Sequence, residues 1–194
     1  MSVSNGEPTD VLRTVPGDLP VPLDDGACRH LSGLRLPSVS LPSTDGRFVD
    51  LSKVDGRLVL FCYPMTGRPG QSIPEGWAQI PGAAGCTPQA CSFRDRYEDL
   101  RKLRVTIFGL STQTHTDQLE AAARLHLQYS LLSDSSFQFS QALKLPTFSV
   151  NNLTMTKRLT LISKDGIIQH CIYPVFPPDK NVDDVVNWLS ASDA

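Results

Sequence analysis

Long apolar runs and concentrated charge of one sign are both missing from this sequence. A transmembrane helix takes about 20 consecutive apolar residues, and the stretch Leu58 to Tyr63 falls far short of that. Lys and Arg number 18 against 20 Asp and Glu, a net charge of −2 without a basic block. A phosphate-binding face has no obvious source, so nucleic acid and anionic membrane are not expected partners. The four histidines (His30, His115, His126, His170) form no H-x-x-H pair, and Cys-x-x-Cys is absent. A zinc site is therefore not expected. Walker, dinucleotide-glycine and G-x-S-x-G motifs are missing too, so no metal, haem, flavin or other cofactor is expected.

Cysteine is sparse as well. Cys28, Cys62, Cys86, Cys91 and Cys171 are an odd number at low density, unlike a disulfide-stapled secreted domain. The first thirty residues carry five acidic groups and two arginines, with no apolar core, which fits neither a signal peptide nor a transit peptide. A reducing cytoplasm is the expected compartment. There, two close cysteines point to chemistry rather than to a structural staple.

What is present is one domain's worth of chain, 194 residues and 40% hydrophobic. Residues 1–33, rich in Pro, Gly, Asp and Ser, are expected to be an irregular or disordered extension. Residues 34–194 are expected to form the domain. Leu36–Leu41 and Phe48–Leu51 flank a Thr44-Asp45-Gly46-Arg47 turn and predict a β-hairpin. Leu58–Tyr63 is apolar without alternation, the pattern of a central strand buried on both faces. Residues 65–85 hold three prolines and five glycines and predict a long functional loop. A helix is expected from Cys86 or Thr87 through Leu103, with Pro88 in its first turn.

Val105–Leu110 predicts a second buried strand, Asp117–Gln128 an amphipathic helix and Leu131–Asp134 a short strand. Phe137–Leu143 follows as a short helix. Leu159–Ser163 and Ile167–Tyr173 predict a hairpin about Lys164-Asp165-Gly166, and Val182–Leu189 a closing helix. Trp188 and Leu189 are assigned to its buried face. The sum is an α/β fold with a central mixed β-sheet flanked by helices.

The chemistry concentrates in Gly85-Cys86-Thr87-Pro88-Gln89-Ala90-Cys91-Ser92-Phe93-Arg94-Asp95. A thiol at a helix start meets the unpaired amides and partial positive charge there, which favours the thiolate. In a regular helix, residues five apart lie about 140° apart around the axis, with Cα atoms about 8.7 Å apart. A disulfide needs about 7 Å or less. Cys86 and Cys91 therefore pair only if the helix start unwinds. Position makes Cys86 the attacking thiolate and Cys91 the resolving thiol. A peroxide would leave a sulfenic acid on Cys86 for Cys91 to convert to a disulfide. Attack on a disulfide would make an oxidoreductase instead, and a switch without turnover would make a redox-responsive binding module.

This motif, following a buried strand that ends Tyr63-Pro64, resembles the active site of the peroxiredoxin Q or bacterioferritin comigratory protein type of the AhpC/TSA superfamily. The resemblance runs from about Leu34 to Leu189 and includes Phe108-Gly109-Leu110-Ser111, Leu131-Leu132-Ser133-Asp134 and Arg158-Leu159-Thr160-Leu161-Ile162. It implies a thioredoxin fold and reduction of hydrogen peroxide and organic hydroperoxides. Cys86 would be the peroxidatic and Cys91 the intrachain resolving cysteine, recycled by thioredoxin or glutaredoxin in a monomer. Arg158 matches the family arginine that hydrogen-bonds thiolate and peroxide oxygens, a role that suits a charged bidentate donor. From the residues alone it would pass for an exposed strand charge.

Pro64, Gly85 and Thr87 fall in supporting positions. Two departures stand out against the family's Pro-x-x-x-Thr-x-x-Cys pattern. Ala83 occupies the hydroxyl position, with Thr87 as a candidate substitute. Pro64 lies 22 residues before Cys86, so about fifteen residues are inserted, and this insertion is expected to cover the site. Of the other cysteines, Cys62 and Cys171 are expected to be packing residues and Cys28 an exposed bystander.

Overall fold

The computed structural model describes residues 15 and 17–192. The alternation of side chains along one strand organises the molecule. In β3 (Arg57–Cys62) and Tyr63 beyond it, Val59, Phe61 and Tyr63 face one apolar cluster, while Leu58, Leu60 and Cys62 face another. Both clusters are buried, which is why this strand shows no polar face. β3 pairs in parallel with β4 (Val105–Ser111), which pairs in parallel with β5 (Ser130–Ser133). On its other side β3 pairs antiparallel with β8 (Leu159–Lys164), and β8 with β9 (Ile167–Ile172). The sheet order is β5-β4-β3-β8-β9.

One face is covered by α1 (Cys86–Asp95), α2 (Tyr97–Lys102), α3 (His115–Arg124) and α5 (Asn181–Ala191), which contribute Phe93, Leu100, Ala121, Val182, Val185 and Leu189. Trp188, assigned with Leu189 to the buried face, is half-buried and stacks on His170. The other face is covered by α4 (Gln138–Ala142) through Phe139 and by the N-terminal segment through Leu31, Leu36, Leu41 and Leu51. The expected hairpin is present as β1 (Ser40–Pro42) and β2 (Phe48–Asp50), a separate two-stranded sheet beside β5. Residues 17–34 contain no helix or strand yet pack against the sheet, with Leu31 fully enclosed. Residues 1–14 and 16 of the expected extension lie outside the described residues.

Three local expectations change. The helix from Cys86 does not run unbroken to Leu103. It breaks at Arg96, whose guanidinium bridges Asp99 and Asp183 of α5. The helix expected to end at Gln128 stops at Arg124, followed by His126 with a left-handed backbone. A hairpin of β6 (Thr147–Val150) and β7 (Leu153–Thr156) was not anticipated. Its turn is Asn151-Asn152, both with positive φ, the pairing that a tight two-residue hairpin needs. Trp77, in a single 3-10 turn of the 65–85 loop, packs on this hairpin through Phe148 and Met155.

Candidate active site

Cys86 is the first residue of α1. Gly85, just before it, has φ +95 and lies against Pro178; a Cβ there would come within 2.3 Å of the proline Cγ. Only glycine fits both constraints. The helix is held to the sheet by Phe93, whose ring stacks on Phe61 at 4.4 Å. Phe61 in turn sits where Gly109 leaves room, since a Cβ at 109 would come within 2.7 Å of the Phe61 ring.

Cys86 is only 3% exposed. Arg158 Nη2 lies 3.1 Å from it and the Met65 amide 3.4 Å. Arg158 is itself buried, correcting the exposed-charge reading that its residue type and neighbours alone would give. Its Nη2 also donates to the carbonyls of Ala83 (3.1 Å) and Ala84 (3.0 Å), and its Nη1 to Gln89 Oε1. Gln89 then donates to Asn181 Oδ1 at 2.9 Å, and Thr160 donates to the same oxygen at 2.7 Å. Gln89, Thr160 and Asn181 are fully enclosed. Among the described residues, Arg158 Nε has no hydrogen-bond partner.

Pro64 ends β3, and its carbonyl accepts from Ser111 Oγ at 2.8 Å. Gln113 Oε1 accepts from the Thr66 amide at 2.8 Å, and Gln113 Nε2 donates back to the Thr66 carbonyl. These contacts fix the turn that points the Met65 amide at the sulfur. Ala83 turns its methyl toward Trp77 and Met155 and offers its carbonyl to Arg158 and to the Cys86 thiol. Thr87 is buried beside Cys86.

Cys91 sits elsewhere on α1. It packs with Ala90 and Leu125 in a small cluster apart from the one that holds Cys86. The structure thus brings together Cys86, Arg158, Pro64, Gly85 and Thr87, and places Cys91 on the same helix with no disulfide. Met65, Gln89, Thr160, Asn181 and Pro178 had no expected role. Gln89 had a signal, since it lies within the motif.

The family model for Redoxin matches residues 31–189. The chain belongs to the Redoxin family. Among its relatives, peroxiredoxin Bcp of Escherichia coli (strain K12) is 30% identical over 158 residues, 79% of this chain and 91% of that protein. Chloroplastic peroxiredoxin Q of Oryza sativa subsp. japonica is 28% identical over 160 residues, 82% of this chain. The chain spans 66% of the rice protein's length. The crystal structure of peroxidoxin BcpB from Mycobacterium tuberculosis matches with a TM-score of 0.66 at 26% identity, covering 82% of this chain and 96% of that one. Xylella fastidiosa PrxQ shares the fold, with a TM-score of 0.68 at 18% identity over 84% of this chain and 97% of that one. Within the Redoxin family the chain is of the peroxiredoxin Q/Bcp type, with a thioredoxin fold.

Proposed function

We propose that this protein is a thiol-dependent peroxidase that reduces hydrogen peroxide and organic hydroperoxides. The observation that carries the proposal is the Arg158 guanidinium 3.1 Å from Cys86 Sγ at a helix start. The Cys86 thiolate attacks the terminal peroxide oxygen, the O–O bond breaks, and the alkoxide or hydroxide leaves after taking a proton. Arg158 and the Met65 amide offset the negative charge, first on sulfur and then on oxygen. Gln89 and the Ala83 and Ala84 carbonyls hold the guanidinium in place, while Pro64, Gly85 and Thr87 shape the pocket. Cys91 displaces water from the sulfenic acid once the helix start opens. An external dithiol, thioredoxin or glutaredoxin, takes the disulfide back to two thiols. One chain suffices for this cycle, a reducing compartment such as the cytoplasm suits it, and the 65–85 loop governs access.

Stopped-flow oxidation by hydrogen peroxide tests the reading. The wild-type chain should react orders of magnitude faster than a free thiol, and Cys86→Ser should lose this. Cys91→Ser should keep the first step, then stall and over-oxidise. Ala83, which supplies no hydroxyl, favours a second reading: a redox-responsive binding module. Slow oxidation without turnover by thioredoxin or glutaredoxin would select that reading. Insulin reduction without peroxide consumption would select a disulfide oxidoreductase.

A further inference from the structure

Three cysteines remain that the reaction at Cys86 does not use. Cys28, Cys62 and Cys171 all belong to the apolar cluster across the sheet from Cys86. Cys62 is sealed within β3. Cys28, expected to be an exposed bystander, is instead 7% exposed and lies in a turn that the chain fastens on both sides, to β9 and to the residues flanking β8 and β9. Before it, Asp25 accepts hydrogen bonds from the Tyr173 hydroxyl at 2.9 Å and from the Lys157 ammonium at 2.8 Å. After it, the Gly33 amide donates to the Ile168 carbonyl at 2.8 Å, and the Ile168 amide to the Leu34 carbonyl at 2.9 Å. Cys171 lies between Ile168 and Tyr173, so the two anchors lay Cys28 over it. Cys171 packs against the cluster that holds Cys28, which makes the two thiols near neighbours. Unlike the pair on α1, they need no helix to unwind before an S–S bond can form.

We propose that Cys28 and Cys171 are a second redox dithiol, oxidised by hydroperoxide to a disulfide that ties the N-terminal segment to β9. This goes beyond the peroxidase cycle and does not depend on it. The direction follows from the surroundings. The neighbouring Cys171 thiol, then burial, then nearby negative charge including Asp25, push the Cys28 thiol up. Cys171 is only half-buried, so it is the attacking sulfur. Its thiolate takes the terminal oxygen of the hydroperoxide, the O–O bond breaks and the alcohol leaves with a proton, giving a sulfenic acid. The Cys28 sulfur then displaces the hydroxide, which departs as water with the Cys28 proton. Two thiols and one hydroperoxide give one disulfide, one alcohol and one water; two electrons pass from sulfur to the peroxide.

The bond has a place to act. Val21, Pro22 and Leu23, upstream of the tie, form one wall of a cleft of about 420 Å³ that Arg158 also lines. Oxidation would fix that wall, and reduction would release it.

The test uses the full chain carrying Cys86→Ser and Cys91→Ser, which removes the first pair and any peroxidase turnover with it. After hydrogen peroxide treatment, denaturation and thiol blocking, mass spectrometry should find the Cys28 peptide linked to the Cys171 peptide, with Cys62 blocked. Dithiothreitol should reverse the link. Adding Cys28→Ser should let dimedone label Cys171, whereas adding Cys171→Ser should leave Cys28 unlabelled. Blocked, unlinked Cys28 and Cys171, or a Cys28–Cys62 link, would overturn the proposal. Should the double variant fail to fold, the wild-type chain is mapped in the same way: a Cys28–Cys171 link supports the proposal and its absence overturns it.

Discussion

Replacing Gly85 by alanine should damage the site through two separable effects. Gly85 has φ +95, and an L-residue held in left-handed backbone costs about 1–2 kcal/mol, partly offset by a less flexible unfolded chain. The new methyl would also meet Pro178 Cγ at 2.3 Å, and overpacking of this kind costs about 1–3 kcal/mol. Together, about 2–4 kcal/mol falls on the residue that leads into α1. If the strain is relieved by opening the helix start, the folded site becomes about 30- to 1,000-fold less favoured relative to the opened one, at tenfold per 1.4 kcal/mol. Hydrogen exchange at the amides of the first α1 turns should speed up accordingly. The second-order rate of Cys86 oxidation by hydrogen peroxide should fall, because opening separates the sulfur from Arg158 and the Met65 amide. Gly82→Ala is the control. Its φ is +79, but its Cβ would meet Pro22 only at 3.6 Å, an ordinary contact, so it carries the backbone cost alone. Pro178→Ala combined with Gly85→Ala should recover the overlap part, seen as a non-additive double-mutant cycle. Equal losses at 82 and 85, or no recovery on removing Pro178, would refute the reasoning.

Arg158→Met removes a charged donor at the reacting sulfur and should cost about 10²–10³ in the peroxide rate by stopped flow. Arg158→Lys should recover little, because one ammonium cannot serve the sulfur, two carbonyls and Gln89 together. Asn181→Ala leaves the enclosed Gln89 and Thr160 donors without their acceptor and should cost about 1–3 kcal/mol for each in urea denaturation. Combined with Thr160→Val, its effect should be less than additive, and full additivity would mean the network is not shared. Asp25 is lowered from 3.8 to about 2, by its hydrogen bond with Lys157 first and then by the Ala27 amide and the Tyr173 hydroxyl. A depressed carboxylate stabilises fully above 3.8 and loses that contribution as pH falls through about 2. Proteolysis of residues 24–34 should therefore accelerate over that window and become independent of pH there in Asp25→Asn.

The parts of the structure legible in the sequence are those where composition and local geometry agree. Leu58–Tyr63 could be placed at the centre of the sheet because both its faces are apolar. The start of α1 could be placed because Gly-Cys-Thr-Pro suits a loop turning into a helix. β6 and β7 escaped because much of the hairpin is exposed or half-buried, leaving only Asn151-Asn152 as a turn signal. Asn181 and Thr160 escaped for the opposite reason. They are polar residues in the core, and pattern reading assigns polar residues to the surface. Their use lies in a shared network in which Asn181 Oδ1 accepts from Thr160 and from Gln89, 92 residues away, and only the folded chain creates it. Cys28 was misplaced by equating irregular chain with detached chain. Its turn has no periodicity, yet Gly33 pins it to β9 and Asp25 to Tyr173 just beyond.

On the proposed mechanism, the contacts that would make Cys86 reactive are the ones its resolution would have to dismantle. Bringing Cys91 to Cys86 would break the start of α1, including the Gln89 amide bond to the Gly85 carbonyl at 3.0 Å. It would also pull Gln89 away from Arg158 and Asn181, and Gly85 away from Pro178. A firmer clamp therefore favours attack on peroxide and slows disulfide formation; a looser one does the reverse. The length of α1 limits the conflict. The helix ends at Asp95, and Arg96 anchors the chain to Asp183 of α5, so opening the first turns need not travel into α2. Phe93, stacked on Phe61, would serve as the pivot. On the proposed mechanism, the break at Arg96 is what would allow an enclosed, tightly held thiolate and a resolving cysteine on its own helix to share ten residues.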